Sequence, residues 1–118
     1  MNEEQLEQEI RSLGLTAARI SADQVDAAIA SEDYHVFAGS CLTVCCLTLC
    51  NGFTVTGESA CVSPANFNEE VGRKIARGRA REKIWMLEGY LLRQRIYDDG
   101  AIFATAAAAR AARPELEY

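Results

Sequence analysis

Asn51-Gly52 separates two runs that are rich in β-branched residues, cysteines and aromatics. Both central positions of a type I′ turn need positive φ, which Asn and Gly tolerate best. A two-residue turn would place Cys50 opposite Phe53 and thereby fix the register of the two strands. The sequence therefore predicts an antiparallel β-hairpin inside a β region that covers 34–62.

This register sorts the hairpin residues onto two faces, because neighbouring strand residues point to opposite sides. One face is predicted to carry Leu42, Val44, Cys46, Thr48, Cys50, Phe53, Val55 and Cys61. The other is predicted to carry Cys41, Thr43, Cys45, Leu47, Leu49, Thr54, Thr56, Ala60 and Val62. Neither face is strongly polar, whereas a hairpin with one solvated face alternates between apolar and polar residues. We therefore expect both faces to be covered, one of them by another subunit.

A long helix is predicted over 66–98, after a turn at Ser63-Pro64 and with Glu69-Glu70 placed to suit the helix dipole. Two apolar stripes run along opposite sides of this helix. The first stripe contains Gly72, Ala76, Ala80, Ile84, Leu87 and Leu91. The second contains Val71, Ile75, Gly78, Trp85, Gly89 and Leu92. Small residues in the first stripe would let another backbone approach closely, and a bend or break is expected near Gly89.

The two ends of the chain have different compositions. Residues 1–33 carry eight acidic and two basic side chains, and their pattern predicts two short helices. The second of these is expected from about Ala22 to Ser31, because Ser21 and Gln24 form a capping-box pattern. Residues 101–118 are alanine-rich and are predicted to be a frayed helix or a tail.

The length of 118 residues, with 49% hydrophobic and 25% charged side chains, fits one domain over 1–118. We predict the α+β class, with an antiparallel β-hairpin or small sheet packed against the long C-terminal helix and short N-terminal helices. No apolar run is long enough to span a membrane, and the N-terminus lacks the pattern of an export signal. A cytoplasmic protein is therefore expected.

Positive charge is concentrated on the long helix. Eight of the 12 basic residues lie between Arg73 and Arg95, although the net charge of the chain is -5. Helical spacing places Arg73, Arg77, Arg81 and Arg95 along one side as an arginine ridge. Guanidinium groups pair bidentately with phosphate, so one hypothesis is phosphate recognition. The alternative is a solvated or ion-paired face, neutralised by the acidic residues 1–33 of this chain or of a neighbouring one.

The cysteines and His35 show no sequence pattern of a catalytic or metal site. Strand alternation sends Cys41 and Cys45 to one face and Cys46 and Cys50 to the other, so four ligands do not converge on a metal. In the predicted register no cysteine lies opposite another, which disfavours a hairpin disulfide, and the cysteines are interpreted as inert core residues. His35 lacks a nucleophile signature, so we predict neither an enzyme nor a cofactor.

Four aromatic residues could stack on a nucleotide base: Phe67, Trp85, Tyr90 and Tyr97. At helical spacing beside leucine and isoleucine, such residues more often belong to a core. Phe67 lies at the entrance of the long helix and is the one retained as a ligand-binding candidate, together with the arginine ridge.

Several stretches of this sequence resemble a family of small tailed-phage and prophage proteins of unassigned role. They are Leu42-Thr43-Val44-Cys45, Leu47-Thr48-Leu49, Asn51 to Ala60, Asn66-Phe67-Asn68, Gly72-Arg73-Lys74-Ile75-Ala76 and Trp85 to Leu92. The resemblance covers about Arg19 to Ile96 and implies a phage or prophage protein in the bacterial cytoplasm.

The chain is also similar, more loosely, to the phage sponges of the Thoeris anti-defence type. That similarity implies an oligomer without enzymatic activity that binds cyclic ADP-ribose isomers or cyclic oligonucleotides through arginines and an aromatic residue. The resulting hypothesis is a homo-oligomeric protein that sequesters an immune signalling nucleotide, with Phe67 and the arginine ridge as its ligand-binding residues. The alternative is a regulatory module that binds a host protein or nucleic acid through the basic helix.

Overall fold

A computed structural model describes residues 2–14 and 17–100 of the chain. In chain order the elements are α1 (Glu3–Ser12), α2 (Ala22–Ala27), β1 (Ile29–Val36), β2 (Thr43–Leu49), β3 (Thr54–Ser59), a 3₁₀ turn (Pro64–Asn66) and α3 (Glu69–Asp98). The strands form one antiparallel sheet in the order β1-β2-β3, and α3 packs against β2 and β3. The predicted α+β class is confirmed, whereas the alanine-rich residues 101–118 lie outside the described part.

The two N-terminal helices are present, but α2 is shorter than predicted. Side chains cap both helices: Asn2 with Gln5 on α1, and Ser21 with Gln24 on α2. The expected end at Ser31 is wrong, because Ile29–Val36 form strand β1. The carbonyl oxygen of Ala28 accepts a hydrogen bond from the amide of Cys50, so pairing with the sheet overrides the helical pattern. The β region therefore begins at residue 29, not at residue 34.

The hairpin between β2 and β3 exists, but its register differs by one residue from the predicted one. Gly52 has φ of 89°, while no non-glycine residue in the described ranges has positive φ, which excludes a type I′ turn at Asn51-Gly52. The amide of Gly52 bonds to the carbonyl oxygen of Leu49, and the amide of Leu49 bonds to that of Phe53. This is a three-residue loop with a glycine bulge.

The changed register rearranges both faces of the hairpin. Leu47 pairs with Val55 and Cys45 pairs with Gly57, so Val55 lies on the face of Cys45 and not, as predicted, on the face of Cys46. That face is buried beneath α3 and forms the core with part of α2 and α3. The buried apolar residues are Val25, Cys45, Leu47, Leu49, Val55, Ala76, Ala80 and Ile84. The interpretation of the cysteines as core residues holds for Cys45 alone, because Cys41, Cys46 and Cys61 are half-buried and Cys50 is exposed.

Helix α3 starts at Glu69, three residues after the predicted start. The side chain of Asn68 caps the helix, because its oxygen accepts a hydrogen bond from the amide of Val71. The four N-terminal residues of the predicted first stripe are buried against the sheet: Gly72, Ala76, Ala80 and Ile84. The helix continues through Gly89, so the expected break is absent. In the second stripe Val71 and Ile75 remain exposed. No helix in the described ranges has the length and apolar content needed to cross a membrane.

Candidate functional site

The N-terminal half of the arginine ridge lies over β1 and the two short helices. The guanidinium of Arg77 donates to Glu32 of β1 at 2.8 Å. Arg81 donates to Asp26, next to the end of α2, at 2.8 Å and to Glu3 of α1 at 2.5 Å. These acidic partners all belong to residues 1–33. Both arginines are therefore neutralised by the N-terminal segment of the same chain, as the ion-paired alternative predicted.

These ion pairs shift the pKa values of both partners. The hydrogen bond from Arg77 lowers the pKa of Glu32, and that from Arg81 lowers the pKa of Asp26. Hydrogen bonds to their carboxylates raise the pKa values of Arg77 and Arg81. Arg81 is the more enclosed arginine, since only 16% of its side chain is exposed. Arg81 therefore connects α3 to α1 and α2 through ion pairs.

Arg73, at the start of the ridge, has different neighbours. Its guanidinium bonds to Glu69 one turn earlier and lies 5.5 Å from the centre of the Tyr34 ring, a cation–π contact. Burial is the main cause that raises the pKa of Tyr34 to about 12, so the phenol stays protonated and donates to Glu32. Arg73, Arg77 and Arg81 are thus all paired with carboxylates of the chain. None of these three guanidinium groups is unpaired and available for a phosphate.

Arg95 differs from the other ridge arginines because it makes no ion pair with a described carboxylate. It lines an open groove of about 650 Å³ where α2, the tip of the β2–β3 hairpin and the C-terminal half of α3 meet. The apolar part of the lining includes Leu49, Phe53, Leu87 and Leu91. Its polar part includes Gln24, Asn51, Glu88 and the hydroxyl-bearing Tyr90.

Phe53 and Tyr90 give this groove two exposed aromatic rings, with exposed fractions of 56% and 63%. Tyr90 was a base-stacking candidate on sequence grounds, and its exposure removes it from the core. Phe53 was missed, although an aromatic directly after the turn Asn51-Gly52 marks a residue at a hairpin tip. Trp85 is half-buried against the core, with Arg81 at 6.0 Å from its ring centre.

The five ligand-binding candidates from the sequence do not form one site within a chain. Along α3 a rise of 1.5 Å per residue separates Arg73 from Arg95 by about 33 Å. Phe67 precedes the helix and is half-buried at the end of the 3₁₀ turn, so it lies at the end opposite to Arg95. The groove at Arg95 is therefore out of reach of Phe67 of the same chain.

Other reactive groups are dispersed in the described part of the chain. His35 is exposed on β1 and makes an edge-on ring contact with Phe37. Residues 2–14 and 17–100 contain no group of three or more histidine, cysteine or acidic side chains arranged for a metal ion. The groove at Arg95 is thus the place where the described residues combine an unpaired cation, aromatic rings and a concave surface.

Comparison with models of known protein families matches residues 20–96 to the family described as phage protein (N4 Gp49/phage Sf6 gene 66). The match begins in front of α2 and ends two residues before the end of α3, so it includes the sheet and the groove. No curated protein and no solved structure matches the chain.

Proposed function

The chain belongs to the phage protein (N4 Gp49/phage Sf6 gene 66) family, and from this premise we propose that it sequesters a phosphorylated signalling nucleotide of the host immune response without turning it over. The ligand class proposed, a cyclic ADP-ribose isomer or a cyclic oligonucleotide, follows the looser resemblance of the sequence to Thoeris anti-defence sponges. The site proposed is the groove at Arg95, which takes the place of the full arginine ridge.

The observation that carries this proposal is the unpaired guanidinium of Arg95 in an apolar, aromatic groove. A volume of about 650 Å³ lies within the usual range of about 300–1,000 Å³ for small-molecule sites. Such sites combine apolar and aromatic walls with a few polar groups that orient the ligand. A nucleotide has the matching chemistry, because it joins a flat base to a phosphate.

Each part of the groove has a role in this proposal. Arg95 binds a phosphate through two parallel hydrogen bonds, which are stronger than neutral ones. Phe53 and Tyr90 provide ring faces for base stacking, worth about 1–3 kcal/mol per base. The side-chain amides of Gln24 and Asn51 can donate to and accept from base edges. The carboxylate of Glu88 repels a phosphate placed beside it, so we place the phosphate at the Arg95 end.

The alternative of a basic helix that binds a host protein or nucleic acid has less support. Duplex binding needs several cations available for phosphates. Arg73, Arg77 and Arg81 are instead paired with acidic residues of the chain itself. A duplex would have to displace these acids, whereas a nucleotide at Arg95 displaces none that the structure describes.

The first test is a thermal-unfolding screen against cyclic ADP-ribose isomers, cyclic di- and trinucleotides and a short DNA duplex. A ligand at 100 times its dissociation constant adds about 2.7 kcal/mol to the stability of the native state. We expect one nucleotide class to raise the unfolding midpoint by several degrees. A shift with the duplex alone, weakening steeply with salt, would favour the basic-helix alternative.

Replacing Arg95 with alanine tests the site itself. Loss of a charged hydrogen-bonding group costs about 1.5–3 kcal/mol, so the affinity for the nucleotide should fall at least tenfold. Arg93→Ala is the matched control, because Arg93 is an exposed cation on the same helix that does not line the groove. Isothermal titration calorimetry measures both. Equal affinity of the Arg95→Ala variant and the parent protein would rule out this groove.

The homo-oligomer predicted from the two-sided hairpin and the two apolar stripes of α3 remains part of the proposal. Val71, Ile75 and Met86 lie along one side of the helix and are 51%, 43% and 79% exposed. Exposed apolar side chains in such a row are typical of a subunit contact. Multi-angle light scattering at micromolar concentration should give a multiple of the chain mass of 12.9 kDa. The mass of a single chain would contradict the prediction.

A further inference from the structure

The hairpin register brings two cysteines together at the open end of β2 and β3. Thr43 pairs with Ser59, the last pair of the ladder. Two residues before Thr43 and two residues after Ser59, the same register places Cys41 opposite Cys61. The Cys61 thiol lies close enough to Cys41 to raise the pKa of Cys41. In the register predicted from the sequence, which is shifted by one residue, neither cysteine lies opposite another cysteine.

This position suits a disulfide bond. Residues directly opposite in an antiparallel pair have Cα atoms about 4.5–5.5 Å apart, within the range of about 4.4–6.8 Å found across disulfides. Both cysteines are half-buried, so a small oxidant can reach them. Cys45 is fully buried, and Cys46 points to the opposite face of the sheet. Cys41 and Cys61 are therefore set apart from the neighbouring thiols by position.

We propose that Cys41 and Cys61 form a redox modification site, in which a low-molecular-weight disulfide such as glutathione disulfide converts the thiol pair into a reversible intramolecular disulfide. This site is distinct from the groove at Arg95 and does not depend on the proposed nucleotide binding. Cytoplasmic disulfides are usually transient and redox-sensing, which fits a reversible bond.

The exchange takes place in two balanced steps. The neighbouring Cys61 thiol and burial raise the pKa of Cys41, so we assign the first attack to Cys61. The sulfur of Cys61 displaces one glutathione from glutathione disulfide and forms a mixed disulfide. Cys41 then loses its proton, attacks the Cys61 sulfur and releases the second glutathione. The protein loses two electrons and two protons, which the two released glutathione thiols carry.

The new bond would tie the hairpin to the segment that leads into α3. Cys61 is three residues before the 3₁₀ turn at Pro64–Asn66, which is followed by the start of the helix. The bond closes a loop of about 20 residues and restricts the unfolded chain. The oxidised protein should therefore unfold at a temperature at least about 5 °C higher than the reduced protein.

The test equilibrates the reduced, full-length protein with excess glutathione disulfide, quenches with acid and maps the peptides. Chymotrypsin cleaves after Phe53, between the two cysteines, so a bond across the hairpin keeps the two fragments joined. We expect a disulfide link between the peptides that contain Cys41 and Cys61. The mass of the linked pair should be two hydrogen atoms lower than the sum of the two reduced peptides. The Cys41→Ser variant should lose the link and carry a glutathionyl group on Cys61, whereas the matched control Cys46→Ser should keep the link.

Two results obtained with glutathione disulfide would overturn the proposal. One is a map in which Cys41 and Cys61 remain as thiols or as separate glutathionyl adducts at the highest glutathione disulfide concentration. The other is an equal unfolding temperature of the oxidised and reduced proteins. Reduction with dithiothreitol should remove the link and the temperature difference together. A link that persists under those conditions would contradict a reversible modification.

Discussion

The Gly57→Ala variant is expected to lose at least about 3 kcal/mol of unfolding free energy, because a Cβ at this position has no space. It would collide with the backbone carbonyl of Ala76 and the backbone amide of Ala80 and lie 2.9 Å from the carbonyl carbon of Arg79. Backbone atoms cannot rotate away as the end of a side chain can. The helix must therefore separate from β3, which opens the core along α3.

Gly78→Ala is the matched control for this prediction. A Cβ at Gly78 meets no atom within 4 Å, and Gly78 lies inside the same helix. Alanine is a better helix former than glycine, so this variant should gain about 0.5–1 kcal/mol. Urea denaturation of both variants and the parent measures the difference. If the Gly57→Ala variant stayed within about 1 kcal/mol of the parent, the close contact between helix and strand would be incorrect.

The close packing of α3 on β3 could be predicted only in part from the sequence. The small residues Gly72, Ala76 and Ala80 at helical spacing predict that another backbone approaches α3, and the structure confirms it. The strand that approaches could not be identified, because one glycine inside a β-rich run has several explanations. Helical periodicity reveals the buried side of α3 but not its partner.

The hairpin register could not be derived from Asn51-Gly52 alone. The dipeptide suits a two-residue type I′ turn, but its glycine equally suits the bulge of a three-residue loop. The choice depends on tertiary packing, since only the observed register puts Leu47 and Val55 on the same face beneath α3. The contact of Cys41 with Cys61 follows from the register and was equally hidden.

The candidate site was only partly visible for a related reason. Residue spacing places the four ridge arginines on one side of α3, but it does not show which of them pair with an acidic residue. The pairings of Arg77 with Glu32 and of Arg81 with Asp26 depend on how α2 and β1 pack against α3. The groove at Arg95 joins three elements that are distant in the sequence, and no local pattern reports such a junction.

The Arg81→Ala variant is expected to lose about 2 kcal/mol of unfolding free energy at pH 7. Arg81 is mostly enclosed and donates to Glu3 and Asp26, so its loss leaves two carboxylates without their partner. Amide hydrogen exchange should also become faster in α1, because Arg81 connects this helix to α3. Lys83→Ala is the matched control, an exposed cation two residues away whose removal should cost less than about 0.5 kcal/mol.

The contribution of Arg81 to the unfolding free energy should decrease as the pH falls. The hydrogen bond from Arg81 lowers the pKa of Asp26 below 3.8, so the folded state holds the charged carboxylate more strongly than the unfolded state does. The resulting stabilisation is fully present above about pH 4 and is lost as the pH falls through the folded-state pKa. Urea midpoints of the parent and the Arg81→Ala variant should therefore converge as the pH falls below 4. A difference that stayed constant down to pH 3 would show that Arg81 stabilises the chain through its contact with the Trp85 ring, not through its ion pair with Asp26.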